Sequence, residues 1–405
     1  MKVLVINAGS SSVKYQLIQT DDESVIAKGG IERIGIPGSN LSQTVDGKKY
    51  EVEKDLPDHN AAFELMLSCL TSPEFGGAVK DISEIEAIGH RVLHTGTDFH
   101  GSVAVDAEVE KLLRENIHLG PLHMPANIAG IDACVKELPG VPNVAVFDTA
   151  FHTTMPDKAS MYAIPYEDYE QFKIKKYGFH GTSHKYVSGC AIDYLKSKGL
   201  PWDKIVTCHL GNGSSITAVK DGKSVDTSMG MTPLEGVPMG TRSGDIDASV
   251  VEMLCSWKGM TPQQVVTYLN KQSGFLGVSG VSSDSRNVLE AAEKGNYRAQ
   301  LAMDMFTYRV KKYIGSYAAA MGGLDCIVMT GGIGENSGPL RKGILEGLEF
   351  LGVELDETAN SGTKQPRRIY EINTVNSRVK ILVIPTNEEL VIARETRDIV
   401  TAMKR

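Results

Sequence analysis

Two short segments rich in Gly and Ser have the residue types that bind phosphate. Residues 7–12 read Asn-Ala-Gly-Ser-Ser-Ser, and residues 211–216 read Gly-Asn-Gly-Ser-Ser-Ile. Each follows an apolar, strand-like run and precedes a second one, which predicts the same strand–turn–strand unit twice. Glycine lets the backbone approach a phosphate, and serine adds a hydroxyl donor. Two unrelated hairpins would have a similar composition, because these residues dominate turns.

Further polar residues follow the ends of other predicted strands. In an open α/β sheet, ligands bind beyond the carboxyl ends of the strands. The Gly-rich segment 330–336 follows an apolar run and is not a Walker A motif, since no Gly-Lys-Ser/Thr follows; a plain strand-to-helix turn is the alternative. The polar residues at these ends are Asn7, Ser10, Ser12, Lys14, Arg91, His94, Asp148, His209, Asn212, Gly213, Glu335, Asn336, Asn387, Glu388 and Glu389.

Two carboxylates of this set, together with Arg91 and the more distant Arg242, suit magnesium and phosphate chemistry. Mg²⁺ takes few carboxylates together with water and substrate phosphates, as Asp148 and Glu388 could provide. Each has a structural alternative: a turn or helix cap for Asp148 and a first-turn helix acid for Glu388. Arg91 and Arg242 could each hold a phosphate or carboxylate by two hydrogen bonds. For Arg242 the alternative is a surface ion pair with Asp245 or Asp247.

Two histidines are candidates for a hydrogen bond to a phosphoryl group. His123 lies between two prolines in Pro-Leu-His-Met-Pro, and His180 lies in Phe-His-Gly-Thr. His180 and His184 have the i, i+4 spacing of a zinc pair, but Gly181 is expected to interrupt the helix that such a pair needs. A structural, hydrogen-bonded histidine is the alternative for either residue.

The elements that would position these residues alternate as in an α/β protein with two domains. A boundary near residue 150 is expected, and the last helix, after Pro385, could return to the first domain. Predicted strands span 3–7, 85–93, 143–148, 205–210, 326–330 and 380–385. Predicted helices span 60–70, 106–117, 126–137, 184–197, 247–257, 298–321, 338–348 and 388–403.

Composition excludes several classes of function. A net charge of −8 over 405 residues argues against a nucleic-acid-binding face. The six cysteines show no Cys-x-x-Cys spacing, which argues against a zinc site or a disulfide framework and fits a reducing compartment. No signal peptide or membrane-length apolar stretch is visible, so a cytoplasmic protein without a membrane partner is expected.

Taken together, these motifs resemble those of the acetate kinase family over essentially the whole chain. Residues 3–14 resemble the first family signature and residues 209–219 the second. The segments around His90-Arg91, 179–184, 238–245 and 332–336 resemble further family blocks, in the family's order.

The resemblance implies a two-domain, actin-like ATPase (ribonuclease H-like) α/β fold with a duplicated core and a nucleotide cleft between the domains. The first domain would comprise 1–150 with the C-terminal helix, about 387–405, and the second, 151–386, would bind nucleotide and dimerise. The implied activity is reversible, direct in-line transfer of the ATP γ-phosphoryl to acetate, giving acetyl phosphate and ADP. Mg²⁺, or Mn²⁺ in its place, would be the metal, and the protein would be a cytoplasmic homodimer.

The resemblance also implies residue roles. Arg91 and Arg242 would hold the acetyl or phosphoryl group, His180 would stabilise the transition state and His123 would support a phosphate contact. Asp148 matches the catalytic acid; because acetate is already ionised, we expect it instead to organise magnesium or its waters or to orient an arginine. Metal ligands would be Asn7 and Glu388, and acetate would contact Arg91, Leu93, Leu122, Phe179 and Pro233. Nucleotide contacts would be Ser10, Ser12, Lys14, His209, Leu210, Gly211, Asn212, Gly213, Asp284, Ser285, Arg286, Gly332, Ile333, Gly334, Glu335 and Asn336.

One departure from the family pattern bears on the acceptor. Leu93 stands where valine is expected, and the added methylene would disfavour longer acids if the side chain lines the acyl pocket. The closest alternative to acetate as acceptor is nevertheless a propionate or other short-chain carboxylate kinase. Pyrophosphate as donor is a second alternative, and an actin- or chaperone-like ATPase of the same fold is a third.

Overall fold

The computed structural model describes residues 1–94, 96–121, 123–362 and 368–405, and the chain forms an α/β structure with two sheets. The strands are β1 Lys2–Ala8, β2 Ser12–Gln19, β3 Ser24–Glu32, β4 Asn40–Val45, β5 Lys48–Glu53, β6 Ala87–Val92, β7 Val103–Ala104, β8 Asn143–Phe147, β9 Lys204–Leu210, β10 Ser214–Lys220, β11 Lys223–Thr227, β12 Cys326–Thr330, β13 Tyr370–Glu371 and β14 Lys380–Val383. The α-helices are α1 His59–Thr71, α2 Ala107–Glu115, α3 Met124–Glu137, α4 Asp157–Ser160, α5 Tyr166–Phe172, α6 Gly181–Ser197, α7 Ser249–Lys258, α8 Pro262–Lys271, α9 Gly274–Ser279, α10 Ser285–Glu293, α11 Tyr297–Met321, α12 Gly331–Asn336, α13 Gly338–Leu345, α14 Glu357–Ser361 and α15 Glu388–Met403.

The chain divides into two compact units. Unit 1 comprises Met1–Ala150 and Asn387–Arg405, and unit 2 comprises Phe151–Thr386. Each unit contains one sheet with its own buried apolar side chains. The eight-stranded sheet of unit 1 has the order β5-β4-β3-β2-β1-β6-β8-β7, and the six-stranded sheet of unit 2 has the order β11-β10-β9-β12-β14-β13.

The two sheets repeat the same five-strand core. In unit 1, β3, β2 and β1 are antiparallel neighbours, and β6 and β8 continue the sheet parallel to β1. In unit 2, β11, β10 and β9 are antiparallel neighbours, and β12 and β14 continue parallel to β9. This pattern confirms the predicted duplicated ribonuclease H-like core. Both predicted strand–turn–strand units are the first hairpin of their sheet.

Two long helices each pack on the sheet of one unit, although the core strand that precedes them in sequence belongs to the other unit. Helix α6 follows unit 1 in sequence but packs on β9 and β12 of unit 2, whereas the C-terminal α15 packs on β1, β6 and β8 of unit 1. Ile392 and Ala393 of α15 contribute buried side chains to the core beneath β1. The last helix is thus part of the same compact unit as residues 1–150.

Every predicted strand and helix is present, with ends within a few residues of the expected ones. Residues 331–336, read as a Gly-rich loop, form the short helix α12 instead. Gly181 is the first residue of α6 rather than an interruption of it, so His180 lies just before the helix and His184 within it. None of the helices in the described part of the chain is long and apolar enough to cross a membrane.

Candidate active site

The first Gly/Ser turn connects β1 and β2 in unit 1. The Gly9 amide donates to the Ser12 carbonyl oxygen at 2.7 Å, and His59 Nε2 donates to the Gly9 carbonyl oxygen at 2.8 Å. Asn7 and Lys14 are register partners across the hairpin, with Asn7 partly exposed and Lys14 exposed. Cross-strand partners lie on the same face of a sheet, so the amide and the ammonium group occupy adjacent positions beside the turn.

A buried amide that sequence reasoning missed links two strand ends of unit 1. Asn127 Nδ2 donates to the Ala8 carbonyl oxygen at 2.8 Å, and its Oδ1 accepts from the Leu93 amide at 3.0 Å. Asn127 is on α3 and is buried. It therefore holds the end of β1 beside the segment that carries Leu93. Its position among apolar helix residues gave no local signal of this role.

Arg91 and Asp148 form a two-point ion pair at the ends of β6 and β8. Arg91 Nε donates to Asp148 Oδ1 at 2.9 Å, and Nη2 donates to Oδ2 at 2.6 Å. Asp148 is 1% exposed, whereas the Arg91 side chain is 27% exposed. The Asp148 carboxylate raises the pKa of Arg91 above its ordinary value, and Glu388 and Glu389 act in the same direction. The acidic start of α15 is thus near this guanidinium.

The other predicted residues of unit 1 lie at helix ends or strand ends. His123 is exposed and precedes α3, and Glu388 is the first residue of α15. Leu93 is half-buried and packs against the cluster that contains Val92 and Phe147. A Cβ placed on Gly120 would come within 2.7 Å of Leu93 Cδ2, so that leucine packs directly on Gly120. Leu122 lies outside the described residues.

The second Gly/Ser turn, between β9 and β10 of unit 2, borders a cavity of about 780 Å³. The Ser214 hydroxyl closes this turn by hydrogen bonds to the Gly211 amide at 3.1 Å and the Gly211 carbonyl at 3.0 Å. The cavity is large enough for a nucleotide-sized ligand. Its lining residues are Gly211, Asn212, Phe275, Ser283, Asp284, Ser285, Arg286, Leu289, Glu290, Glu293, Gly332, Ile333, Asn336, Ser337 and Pro339.

Eight of the sixteen residues predicted to contact nucleotide line this cavity. Ser10, Ser12 and Lys14 lie in unit 1, and the other five lie elsewhere in unit 2. Asp284 caps α10 and forms an ion pair with the exposed Arg286, and both residues line the cavity. Glu335 accepts from the amides of Gly331 at 2.9 Å and Thr386 at 3.2 Å, so its carboxylate braces α12. Leu210 is fully buried, and Gly334 supplies a carbonyl oxygen to Arg341. The eight lining residues are Gly211, Asn212, Asp284, Ser285, Arg286, Gly332, Ile333 and Asn336.

His180 and Arg242 meet beside the second turn. A Cβ placed on Gly213 would be 3.3 Å from His180 Nε2 and 3.5 Å from Arg242 Nη1. His180 has left-handed backbone angles of φ 57° and ψ 26° immediately before α6. Such a conformation is uncommon for a residue with a side chain and occurs often at functional sites. The imidazole of His180 stacks on that of His209, with ring centroids 4.3 Å apart.

Arg242 has no carboxylate partner within the described ranges. Its Nη1 donates to the Pro233 carbonyl oxygen at 3.3 Å and contacts Met239 Sδ at 3.7 Å, so it lies beside one predicted acetate contact. Burial lowers its pKa. The expected alternative, an ion pair with Asp245, is not formed, because Asp245 accepts from the Gly236 amide at 2.8 Å and Tyr313 Oη at 2.6 Å. A half-buried guanidinium without a counterion is suited to bind an anionic ligand.

Phe179, the other predicted acetate contact of unit 2, immediately precedes His180 and is buried. Its carbonyl oxygen accepts from His152 Nε2 at 3.0 Å.

The described residues contain no cluster of three or more His, Cys, Asp or Glu side chains suited to a metal ion. A zinc site at His180 and His184 is also incompatible with their hydrogen bonds, because both His184 nitrogens bond hydroxyl groups at 2.7 Å. The oxygen donors Asn7 and Glu388 of unit 1 match the few protein ligands that Mg²⁺ takes in addition to water and phosphate oxygens.

The duplicated core, the cavity beside a Gly/Ser turn and the cationic groups define the class of actin-like and sugar-kinase-like ATPases. The chain belongs to the acetokinase family, whose model matches residues 2–394.

Known proteins resemble the chain over nearly its full length. An acetate kinase from Caldicellulosiruptor saccharolyticus is 55% identical, over 98% of this chain and 99% of its own. The crystal structure of the Porphyromonas gingivalis acetate kinase superposes with a TM-score of 0.92 at 47% identity, covering 98% of this chain and 99% of the other. The crystal structure of a propionate kinase from Francisella tularensis superposes with a TM-score of 0.90 at 42% identity, with the same coverage.

Proposed function

We propose that this protein is an acetate kinase, which transfers the γ-phosphoryl group of ATP reversibly and directly to acetate and forms acetyl phosphate and ADP. The observation that carries the proposal is the pair His180 Nε2 and Arg242 Nη1 beside Gly213, in a member of the acetokinase family. In phosphoryl transfer, negative charge spreads over the equatorial oxygens, and catalysis consists of positioning and electrostatic stabilisation. An imidazole N–H and a guanidinium with no carboxylate partner among the described residues supply that stabilisation.

The nucleotide is assigned to the cavity of unit 2. Backbone amides of the turn at 211–213 and of α12 would bind the phosphates, as glycine-rich turns do. The apolar side chains of Phe275, Leu289 and Ile333 would cover the base and ribose. Pyrophosphate is the weaker alternative as donor, because it would leave this part of the cavity unused.

Magnesium would neutralise charge on the phosphates of the bound nucleotide. We assign Asn7 and Glu388 as the protein donors, with Mn²⁺ as an ion that could replace Mg²⁺. Lys14, beside Asn7 in the hairpin, would contact phosphate. Asp148 directs both oxygens at Arg91, and so we assign it to orienting that guanidinium rather than to proton transfer. Ionised acetate needs no general base.

A homodimer in the cytoplasm is also proposed. Unit 2 exposes large apolar side chains on α7 and α11, among them Met253, Trp257 and Tyr308, and Trp257 is 76% exposed. Contact between subunits would remove this apolar surface from water. All six cysteines are free thiols, as is typical of a reducing compartment.

The test is an assay that traps acyl phosphates with hydroxylamine. The protein is incubated with Mg²⁺, with ATP or pyrophosphate, and with acetate, propionate or butyrate in separate reactions. Acetyl hydroxamate that requires ATP and is lost with a chelator supports the proposal. A kcat/KM higher for propionate than for acetate would favour the propionate kinase alternative. That alternative is motivated by the similarity to the Francisella tularensis propionate kinase, at 42% identity. Absence of any acyl hydroxamate would overturn both assignments.

A further inference from the structure

A buried series of hydrogen bonds lies behind His180, on the side away from Gly213. His180 Nδ1 is 2.9 Å from Ser215 Oγ, and the same hydroxyl oxygen is 2.7 Å from His184 Nε2. His184 Nδ1 is 2.7 Å from Thr207 Oγ1. Thr207, His184 and Ser215 are all 0% exposed, so solvent does not supply alternative partners. We call these three residues the Thr207–His184–Ser215 relay.

The Thr207 hydroxyl determines which group donates and which accepts in each hydrogen bond of the relay. In the described part of the chain, its one hydrogen-bond partner is His184 Nδ1. A buried hydroxyl proton needs an acceptor, and therefore Thr207 donates to Nδ1. His184 is neutral, since burial and the nearby His152 and His209 lower its pKa well below its ordinary value. Its single proton is then on Nε2.

The same reasoning extends to His180. Ser215 Oγ accepts from His184 Nε2–H, and so the Ser215 hydroxyl proton is donated to His180 Nδ1. A neutral His180 therefore carries its own proton on Nε2. The reverse order of donors would satisfy Ser215 equally well, but it would leave the buried Thr207 hydroxyl without an acceptor.

We propose that Ser215, oriented by His184 and Thr207, is a positioning residue that places the proton of His180 on Nε2, the nitrogen that faces Gly213 and Arg242. The stacked His209 ring holds the imidazole plane while Ser215 selects the tautomer. The part of this inference that concerns catalysis rests on the proposed function. There, the preset Nε2–H donates a hydrogen bond to the phosphoryl oxygens, with no rearrangement of protons during the reaction.

The first test is the tautomer itself, measured by NMR on the full chain with 15N-labelled histidine. At pH 8, above the ordinary histidine pKa of about 6.5, we expect His180 to show a protonated Nε2 and an unprotonated Nδ1. Thr207→Val removes the hydroxyl two hydrogen bonds away from His180 and should give a mixture of both tautomers. Thr207→Ser keeps the hydroxyl and should retain the single tautomer. A protonated Nδ1 in the wild type, or an unchanged tautomer in Thr207→Val, would overturn the inference.

The second test is kinetic. Ser215→Ala should lower kcat about tenfold or more, because a positioned hydrogen-bond donor contributes mainly in the transition state. Thr207→Val should lower kcat about threefold and Thr207→Ser little, with KM for ATP and acetate within about twofold of the wild type in every case. Higher KM values at unchanged kcat would overturn the positioning role.

Thr217→Val is the matched control. Thr217 is on the same strand as Ser215 and is equally buried, but its hydroxyl pairs with Thr227 Oγ1 at 2.8 Å and not with a histidine. It should leave both the His180 tautomer and kcat unchanged.

The two proposals fail in distinguishable ways. The tautomer measurement needs no substrate, so it can disprove the relay even if acetyl phosphate is formed. Conversely, absence of phosphoryl transfer in the wild type would disprove the proposed function whatever the tautomer.

Discussion

Asp148 directs both of its carboxylate oxygens at Arg91, which it contacts at 2.9 and 2.6 Å through Nε and Nη2. The third guanidinium nitrogen, Nη1, takes no part in this pair, and the Arg91 side chain stays 27% exposed while Asp148 is buried. The carboxylate therefore fixes the orientation of the guanidinium and leaves one edge of it for an anionic ligand.

Asp148→Asn should reduce activity through Arg91. The amide keeps the shape of the side chain but removes the charge and turns one acceptor into a donor that faces Nη2. We expect kcat to fall about 10²- to 10³-fold. The free energy of unfolding should fall by about 1–3 kcal/mol, less than for a fully buried pair because Arg91 is partly exposed. Steady-state kinetics and urea unfolding measure the two effects.

The control for this variant is Asp132→Asn. Asp132 pairs with Arg114 on the surface of the same unit, with both side chains more than 40% exposed. Its loss should change stability by less than about 1 kcal/mol and leave kcat unaltered. Wild-type turnover in Asp148→Asn would show that orientation of Arg91 is not needed.

Arg242→Ala should separate activity from stability. The guanidinium has no carboxylate partner among the residues described, and burial disfavours its charge. Its removal should lower kcat by about 10²-fold or more without lowering Tm. Arg242→Lys should restore little, since an ammonium group does not reproduce two-point binding. Arg298→Ala, which also removes hydrogen bonds to backbone carbonyl oxygens, serves as the control and should keep its turnover.

Leu93 should influence the choice of acceptor. It is half-buried and packs on Gly120, in the segment that the family resemblance assigns to the acetate methyl group. Leu93→Val and Leu93→Ala should raise the ratio of kcat/KM for propionate to kcat/KM for acetate. For Leu93→Ala, the larger truncation, the change in this ratio should correspond to about 1–3 kcal/mol. Leu112→Val removes the same methylene from the same apolar cluster and should leave the ratio unchanged. An unaltered ratio in both Leu93 variants would place this side chain outside the acyl pocket.

His90 should make the protein less stable in mild acid. Burial lowers the pKa of His90 to about 4, and its Nε2 donates to Asn143 Oδ1 at 2.7 Å. The unfolded chain, with an ordinary histidine pKa near 6.5, binds this proton more readily than the folded chain. Stability is therefore complete above about pH 6.5 and is lost as pH falls towards 4, by about 3 kcal/mol at pH 4.

The urea midpoint measured from pH 7 to 4 tests this expectation. His90→Gln removes one proton uptake on unfolding and should make the decline in stability less steep, even if the variant is less stable than the wild type at pH 7. The exposed His118→Gln should leave the slope as it is in the wild type. An equal decline in all three proteins would mean that His90 does not contribute to it.

The sequence was sufficient for the apolar core strands, for most of the longer helices and for the duplicated strand–turn–strand unit. Apolar runs of strand length identified β1, β9 and β12, and the Gly/Ser turns marked the first hairpin of each sheet, because turn composition is a local property. Strands with mixed polarity, such as β4 and β5, carried no comparable signal. The helical form of 331–336 was missed because three of its first four residues are glycines, which disfavour a helix.

The order of the motifs also identified the family and most of the residues that line the cavity of unit 2. The relay behind His180 was not predictable. Thr207, Ser215 and His184 are ordinary strand and helix residues in sequence, and the spacing of His180 and His184 gives no sign that Ser215 links their rings.

What the chain determined by itself were properties of neighbours in sequence: helix or strand, turn or cap, and which short segments could bind phosphate. Tertiary structure decided the pairings, because groups such as Arg91 and Asp148, 57 residues apart, meet only once parallel strands align in register. It also decided that His180 adopts a left-handed backbone and that Arg242 meets no carboxylate among the described residues, since both depend on packing that no local pattern encodes.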